Sequence, residues 1–332
     1  MDHVYSDQQL TLAARLYYVD GLPQADVARF VRVSQATVSR LLSAARQRGI
    51  VKVSVADYDP RAHDLEQELI SRFGLKSAIV VRVAPGSSPE EVRKAVGHFS
   101  SAIVQERFPP RGVVAVAGGR TIREVVLKLP GDTTRRVTVV QAMGSVDANV
   151  GPVDAYELGH AIARAMGGFF LTLNTPAFVP DRKTRDSFLA LPQIRGAWKL
   201  LQEANVALVG IGSLTNSIFA SRGLLNDTEL RELTRRGAVG EICGRFYDAD
   251  GDECDSCWRD RVIGVELDSL RLVPEVIATV AGTDRSDAIA GAIRGRIIKT
   301  LVIDAEGAET LLKSVNVRST APNSKPAVKR TC

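Results

Sequence analysis

Gln35, Ala36, Thr37, Ser39 and Arg40 are the side chains whose types and spacing in this 332-residue chain best suit reading a nucleic-acid groove. A glutamine amide can bond adenine bidentately, an alanine or threonine methyl can touch a thymine methyl, and serine, threonine and arginine reach bases or phosphates. To do this they must share one face of a helix whose opposite face is buried. The run SQATVSRLL meets that need: Ser34 can cap a helix start, and Val38, Leu41 and Leu42 turn inward at helical spacing. Just upstream, Pro23 suits the first position of a shorter helix, with Val27, Ala28 and Phe30 or Val31 as its apolar face. Two short helices joined by a tight turn make a helix-turn-helix pattern, here with Arg32 where a glycine is usual. Ser34, Gln24 and Arg46 complete the DNA-contact candidates. Any amphipathic helix pair shares this spacing. The flanks favour the DNA-binding reading: a helix expected over 10–19, a basic end at 44–48, a stop at Gly49, and the alternating run IVKVSV, which suits a wing-like strand.

A second chemistry is suggested by VAVAGGRTIREVV. A buried strand running through Gly118, Gly119, Arg120 and Thr121 into a helix brings free N–H groups, a helix N-terminus, a hydroxyl and a guanidinium to one spot, which suits a phosphate or another anion. A Gly-Gly turn can also serve only close packing. The turn lacks the Walker A and G-x-G-x-x-G patterns, so nucleotide hydrolysis is not indicated.

Length fits a small DNA-binding module plus a domain of roughly 200–250 residues. With 45% apolar and 24% charged residues, the composition is that of a globular protein. No apolar run approaches the ~18 residues of a membrane span, and 1–7 is polar, so the reading is a cytoplasmic protein without membrane association. Residues 1–55 carry seven basic against four acidic side chains, which suits phosphate contacts. Cys254 and Cys257 form a single C-x-x-C in the acidic segment DADGDECDSCW; with no second pair and four scattered histidines, neither a metal nor a cofactor is expected, and these are read as surface-loop cysteines. The run from Asp248 to Asp252 resembles the opening of a calcium loop, but Arg259 stands at its twelfth position, so a turn is expected. Phe246 and Tyr247 read as core.

The segment ADYDPRAH has linker composition, followed by a helix over 64–73 that ends at Gly74, so 56–74 is read as linker and linker helix. Beyond it, β-branched runs alternate with helical segments. Strands are expected at AIVVRVA, VVAVA, RVTVVQAM, FFLTL, VALVGIG, RVIGVEL, VIATVAG and TLVIDA, with helices over 89–107, 121–129, 154–166, 194–203, 286–295 and 308–312. That alternation predicts an α/β domain over 75–315 with a mainly parallel sheet. The remainder, 316–332, is proline-rich and basic towards its end and is expected to be disordered. Ligands of such sheets bind at the carboxyl ends of the strands.

The order of the loops resembles the SorC family of DeoR-like, sugar-binding transcriptional regulators. The pieces that carry the resemblance are LPQADVARFVRVSQATVSRLLSAARQRGIVKVSV, VVAVAGGRTIREVV, VVQAMGSV, NTPAFV, VALVGIGS, RGAVGEICGRFYDADG, RVIGVELDSLR and VIATVAGTDRSDAI. The resemblance implies a winged helix-turn-helix domain over 1–55, joined to an effector domain like the ribose-5-phosphate isomerase and glucosamine-6-phosphate deaminase fold. It implies double-stranded operator DNA and a sugar, polyol or sugar phosphate as partners, and assembly as a homodimer or homotetramer. It puts the anion-binding turn on Gly118, Gly119, Arg120 and Thr121. It puts the polyol side on Gln141, Met143 and Gly144, on Pro176 and Ala177, on Gly210 and Gly212, and on Glu241 and Asp248. Glu241 stands where an aspartate is usual, and Thr283 or Arg285 where the family offers Gly-Gly and a lysine. Arginine keeps the cation and can fork onto a phosphate, but cannot form a Schiff base. Each of these residues also has a purely structural reading: Gln141 as a strand-end bond, Asp248 as a cap, Arg285 as a partner of Asp284 or Asp287. An isomerase-like enzyme and a DNA-binding protein with a vestigial pocket are the competing functions, and the chain is expected not to be an enzyme.

Overall fold

The computed structural model describes residues 5–54, 58–147 and 150–318. The chain divides into two units, residues 1–59 and 60–332.

The first unit is helical. Helix α1 (Asp7–Ala14) starts in a capping box between Ser6 and Gln9, three residues before the expected start, and passes into a π-helical turn, Arg15–Val19. Helix α2 (Gln24–Val31) has Pro23 as its N-cap, not its first helical residue. Helix α3 (Gln35–Gln47) is capped by Ser34, whose hydroxyl accepts the Thr37 N–H at 3.1 Å. Leu10, Ala13, Val27, Val38, Leu42 and Ala45 are each at most 2% exposed and form the core. Val31 packs against it, whereas Phe30 is 66% exposed. Arg32 sits in the turn at φ 56°, the left-handed conformation glycine would adopt freely. The expected wing strand is absent from residues 50–54. A strand needs a partner for its backbone groups, and among the described residues this unit offers none.

The second unit begins at Pro60, so the helix expected within a linker belongs to it. That helix, α4 (His63–Phe73), packs on edge strand β1 (Ser77–Val81). The buried Glu66 carboxylate takes both Arg61 guanidinium bonds, at 2.9 and 2.7 Å, and the Val80 N–H at 3.0 Å. There follow α5 (Pro89–Glu106), β2 (Val113–Val116), α6 (Arg120–Val126), β3 (Thr138–Gln141), α7 (Ala155–Ala165) and β4 (Phe169–Leu171). Helices α8 (Arg182–Ala190) and α9 (Pro192–Gln202) lead to β5 (Val206–Val209). Next come α10 (Ile218–Ser221), α11 (Asp227–Arg235) and the hairpin of β6 (Ala238–Ile242) and β7 (Arg245–Asp248). Last are α12 (Leu267–Leu272), β8 (Glu275–Thr279), α13 (Ser286–Arg294), β9 (Thr300–Asp304) and α14 (Ala305–Arg318). Helix α14 carries the fold three residues past the expected boundary at 315; the tail expected to be disordered otherwise lies outside the described residues.

Seven strands pair in parallel in the order β1-β9-β8-β5-β2-β3-β4. Strands β5, β8 and β9 are buried at every position, because an all-parallel sheet is covered by helices on both faces. From β2 the chain proceeds towards β3 and β4; from β5 it proceeds the other way, towards β8 and β9. The strand order therefore reverses between β2 and β5, and a crevice opens at their carboxyl ends.

Two expectations fail here. RVIGVEL is not a sheet strand: it begins in a 3-10 turn, Arg259–Arg261, makes isolated bridges from Val262 to Phe178 and from Gly264 to Met143, and ends in α12. Its β-branched residues are buried by side chains around it, which periodicity alone does not distinguish from strand burial. Cys254 is 5% exposed and part of the core, not a surface cysteine. Phe246 and Tyr247 are buried as expected. At Asp248 the chain makes a turn, its Oδ1 accepting the N–H groups of Asp250 and Asp252.

Candidate functional site

A cavity of about 340 Å³ occupies the crevice, within the usual range for small-molecule sites. Its floor is made of strand ends: Ala117 to Thr121 after β2, Met143 and Gly144 after β3, Gly210 to Gly212 after β5, and Thr279 and Val280 at β8. The hairpin turn Cys243–Gly244 and the carboxylate of Glu241 line it as well.

Four arginines line it: Arg222 is paired with Asp147 at 2.6 Å, and Arg93, Arg120 and Arg285 act on one another. Arg120 donates to Asn216 Oδ1 at 3.0 Å, and Asn216 in turn donates to Asp284 Oδ2 at 2.5 Å. Arg285 donates to the Ala281 carbonyl at 2.8 Å and lies 3.5 Å from Asp284. Burial lowers the Arg285 pKa, Asp284 opposes this, and Arg120 and Arg93 lower it further. Arg93 is lowered by burial and then by Arg120. These cations feel one another, so a bound anion would relieve their repulsion. Arg93 comes from α5, which crosses close to α6 because Gly97 has no Cβ: one built there would overlap Glu124.

Glu241 brings a buried carboxyl group to the same cavity. It is 8% exposed, its Oε2 accepts the Gly244 N–H at 2.8 Å, and its main chain pairs with Gly212 in both directions. Burial raises its carboxyl pKa to about 7, the Gly244 bond opposing. A Cβ at Gly212 would lie 2.9 Å from Oε1, so glycine there makes room for the longer carboxylate. Trp258 fixes the turn from behind, its Nε1–H donating to the Gly244 carbonyl at 2.8 Å. Burial raises the Cys243 thiol well above its ordinary range, with Glu241 adding to the shift, so it stays a neutral wall.

Of the residues expected to contact an effector, Gly118, Gly119, Arg120, Thr121, Met143, Gly144, Gly210, Gly212, Glu241 and Arg285 line this cavity. Gln141, Pro176, Ala177, Asp248 and Thr283 do not. Gln141 Oε1 instead accepts the Thr172 hydroxyl at 2.7 Å and the Leu173 N–H at 3.1 Å, so it ties strand ends together. Pro176 and Ala177 pair with Ser145, Asp248 closes its turn, and Thr283 is exposed. Sequence reasoning missed Arg93, Asn216 and Thr279. Arg93 looks like any arginine on a solvated helix face, and no local pattern marks the other two. Among the described residues no group of three or more His, Cys, Asp or Glu side chains is arranged to hold a metal, and no helix is long and apolar enough to cross a membrane.

In the first unit, Gln35, Ala36, Ser39, Arg40 and Arg46 are exposed, and Thr37 and Gln24 are half-buried. Arg40 lies back along α3, donating to Ala36 O and Thr37 Oγ1, each at 3.4 Å. The outward row is thus held on one face of a capped helix whose other face is core.

A doubly wound sheet with its cavity at the switch point is the arrangement of an α/β ligand-binding domain, and the Sugar-bind family of sugar-binding domains matches residues 60–313. The sorbitol operon regulator of Klebsiella pneumoniae is 31% identical over 90% of this chain and 96% of its own length. The deoxyribonucleoside regulator of Bacillus subtilis is 29% identical over 93% and 98%. The crystal structure of the full-length sorbitol operon regulator SorC from Klebsiella pneumoniae superposes with a TM-score of 0.73 at 30% identity, covering 93% of this chain and 99% of that one. The chain belongs to the SorC family of sugar-binding transcriptional regulators.

Proposed function

We propose that this regulator binds operator DNA through Gln35, Ala36, Thr37, Ser39 and Arg40, and that a sugar or polyol phosphate in the cavity changes that binding. The observation that carries the proposal is the convergence of Arg93, Arg120 and Arg285 with the Gly118 to Thr121 turn on one cavity that Glu241 also lines. Guanidiniums fork onto phosphate oxygens, and the neutral or ionised carboxyl can bond sugar hydroxyls. The names of two relatives, a sorbitol operon regulator and a deoxyribonucleoside regulator, support a carbohydrate moiety.

The chain acts in the cytoplasm as a homodimer or homotetramer, since paired recognition helices match half-sites about 34 Å apart. It works without catalysis: the lining carboxylates are Asp154, which caps α7, and Glu241, and no lysine or histidine stands among the described lining residues to share proton transfer. A thermal-shift screen with sugars and polyols, each paired with its phosphate, tests the proposal. Phosphorylated members should raise Tm more than their parents. Equal response to both, or to neither, would contradict it.

A further inference from the structure

Strand β8 ends in Thr279, held between β5 and β9 in the sheet. The residue is 2% exposed, lines the cavity, and its Oγ1 is buried without a hydrogen-bond partner. Two other buried side-chain atoms among the described residues share that state, Thr175 Oγ1 and Arg245 Nε, and neither residue lines the cavity. A buried orphan hydroxyl is costly, and of these three only the one on Thr279 belongs to a residue beside a cavity, where a ligand can complete it.

We infer that Thr279 is a further specificity-determining contact of the cavity, its hydroxyl exchanging a hydrogen bond with a hydroxyl or carbonyl oxygen of the effector's carbohydrate moiety; the inference rests on the cavity being the effector site. The chemistry matches: a threonine hydroxyl offers one donor and two acceptor positions, as a sugar hydroxyl does. The β-branched side chain on a central strand is stiff at χ1, so little rotamer freedom is lost when the hydroxyl meets a ligand. Phosphate held by the arginines and hydroxyls met by Thr279 and Glu241 describe one ligand, a phosphorylated polyol or sugar.

Thr279→Val tests this in the full chain, because valine keeps the shape and removes the hydroxyl. The probes are glucose 6-phosphate, fructose 6-phosphate, sorbitol 6-phosphate and ribose 5-phosphate with their unphosphorylated parents. For the probe that stabilises the wild type, Thr279→Val should weaken binding about tenfold, about 1.4 kcal/mol. The probe concentration needed to change operator binding should rise equally, with operator affinity in its absence unchanged. The ligand-free Tm should hold or rise, since no native bond is lost. Thr279→Ser should bind within about twofold of wild type, as it keeps the hydroxyl. A lower Tm for Thr279→Val with unchanged probe affinity would overturn the inference in favour of a structural hydroxyl. Unchanged affinity alone would overturn it while leaving the effector site standing. A wild type that binds no probe would overturn the effector reading and this inference with it.

Discussion

Arg120 and Asp284 are joined through one side chain, Asn216, which accepts from the guanidinium and donates to the carboxylate. The bridge ties the start of α6, just after β2, to the loop after β8, so Arg120 is held in place before any ligand binds. Arg120→Ala should weaken the phosphorylated effector by about 1.5–3 kcal/mol, the range for a hydrogen bond to a charged group, and leave operator affinity unchanged. Isothermal titration with effector and anisotropy with operator separate the two. Loss of operator binding with intact effector binding would contradict the division of labour.

Glu241 gives a pH dependence with a definite sign. Its native carboxyl titrates at about 7 against an ordinary 4.5, so between those values the native chain holds a proton that the unfolded chain has released. Stability from this group is complete below the lower value, falls as pH rises through the window, and levels off above the upper one. The full change is about 3 kcal/mol. Urea unfolding from pH 4 to 8 should show that slope in the wild type and lose it in Glu241→Gln; parallel curves would refute the assignment.

Trp258 holds Gly244, which lines the cavity, through its indole N–H. Trp258→Phe keeps an aromatic ring near Phe178, whose centroid lies 4.2 Å from the native indole, but leaves the Gly244 carbonyl without its donor. Stability should fall by about 1–3 kcal/mol, the cost of an orphaned buried polar group. Effector affinity should fall as well, because the freed turn lines the cavity. Denaturation and titration of the same variant check both.

Arg40→Ala should weaken the operator complex and leave effector affinity unchanged. If the guanidinium meets a phosphate, the slope of log K against log salt should shrink by about 0.9. If it meets a guanine, discrimination at that base should relax by about 1–3 kcal/mol. An operator affinity equal to wild type would remove Arg40 from the interface.

The elements that obeyed local rules were legible in the sequence. Ser34 caps α3 and Val38, Leu41 and Leu42 are buried because spacing and capping act within a few residues. The strands carrying Val114, Leu208 and Ile277 showed as apolar runs because a parallel sheet buries both faces. What escaped was decided by contacts distant in sequence. The hairpin turn at Cys243 and Gly244 has positive φ at both residues, yet Cys-Gly is not the Asn-Gly pair that marks such turns. RVIGVEL is extended and buried without joining the sheet, partly because Arg245 bonds the carbonyls of Val262 and Gly264. At the cavity, motif order located the turn of Gly118 to Thr121, Glu241 and Arg285, all of which line it. It could not locate Arg93, which depends on the crossing of α5 and α6, nor tell that Gln141 turns its amide to Thr172 and Leu173.

The most direct measurement is an anisotropy titration of a labelled fragment of the upstream DNA with the full chain, with and without the phosphorylated ligand that stabilises it most. The account predicts that saturating ligand changes operator affinity at least about fivefold, the lower end of common allosteric couplings. Identical operator affinity with the cavity filled would contradict it.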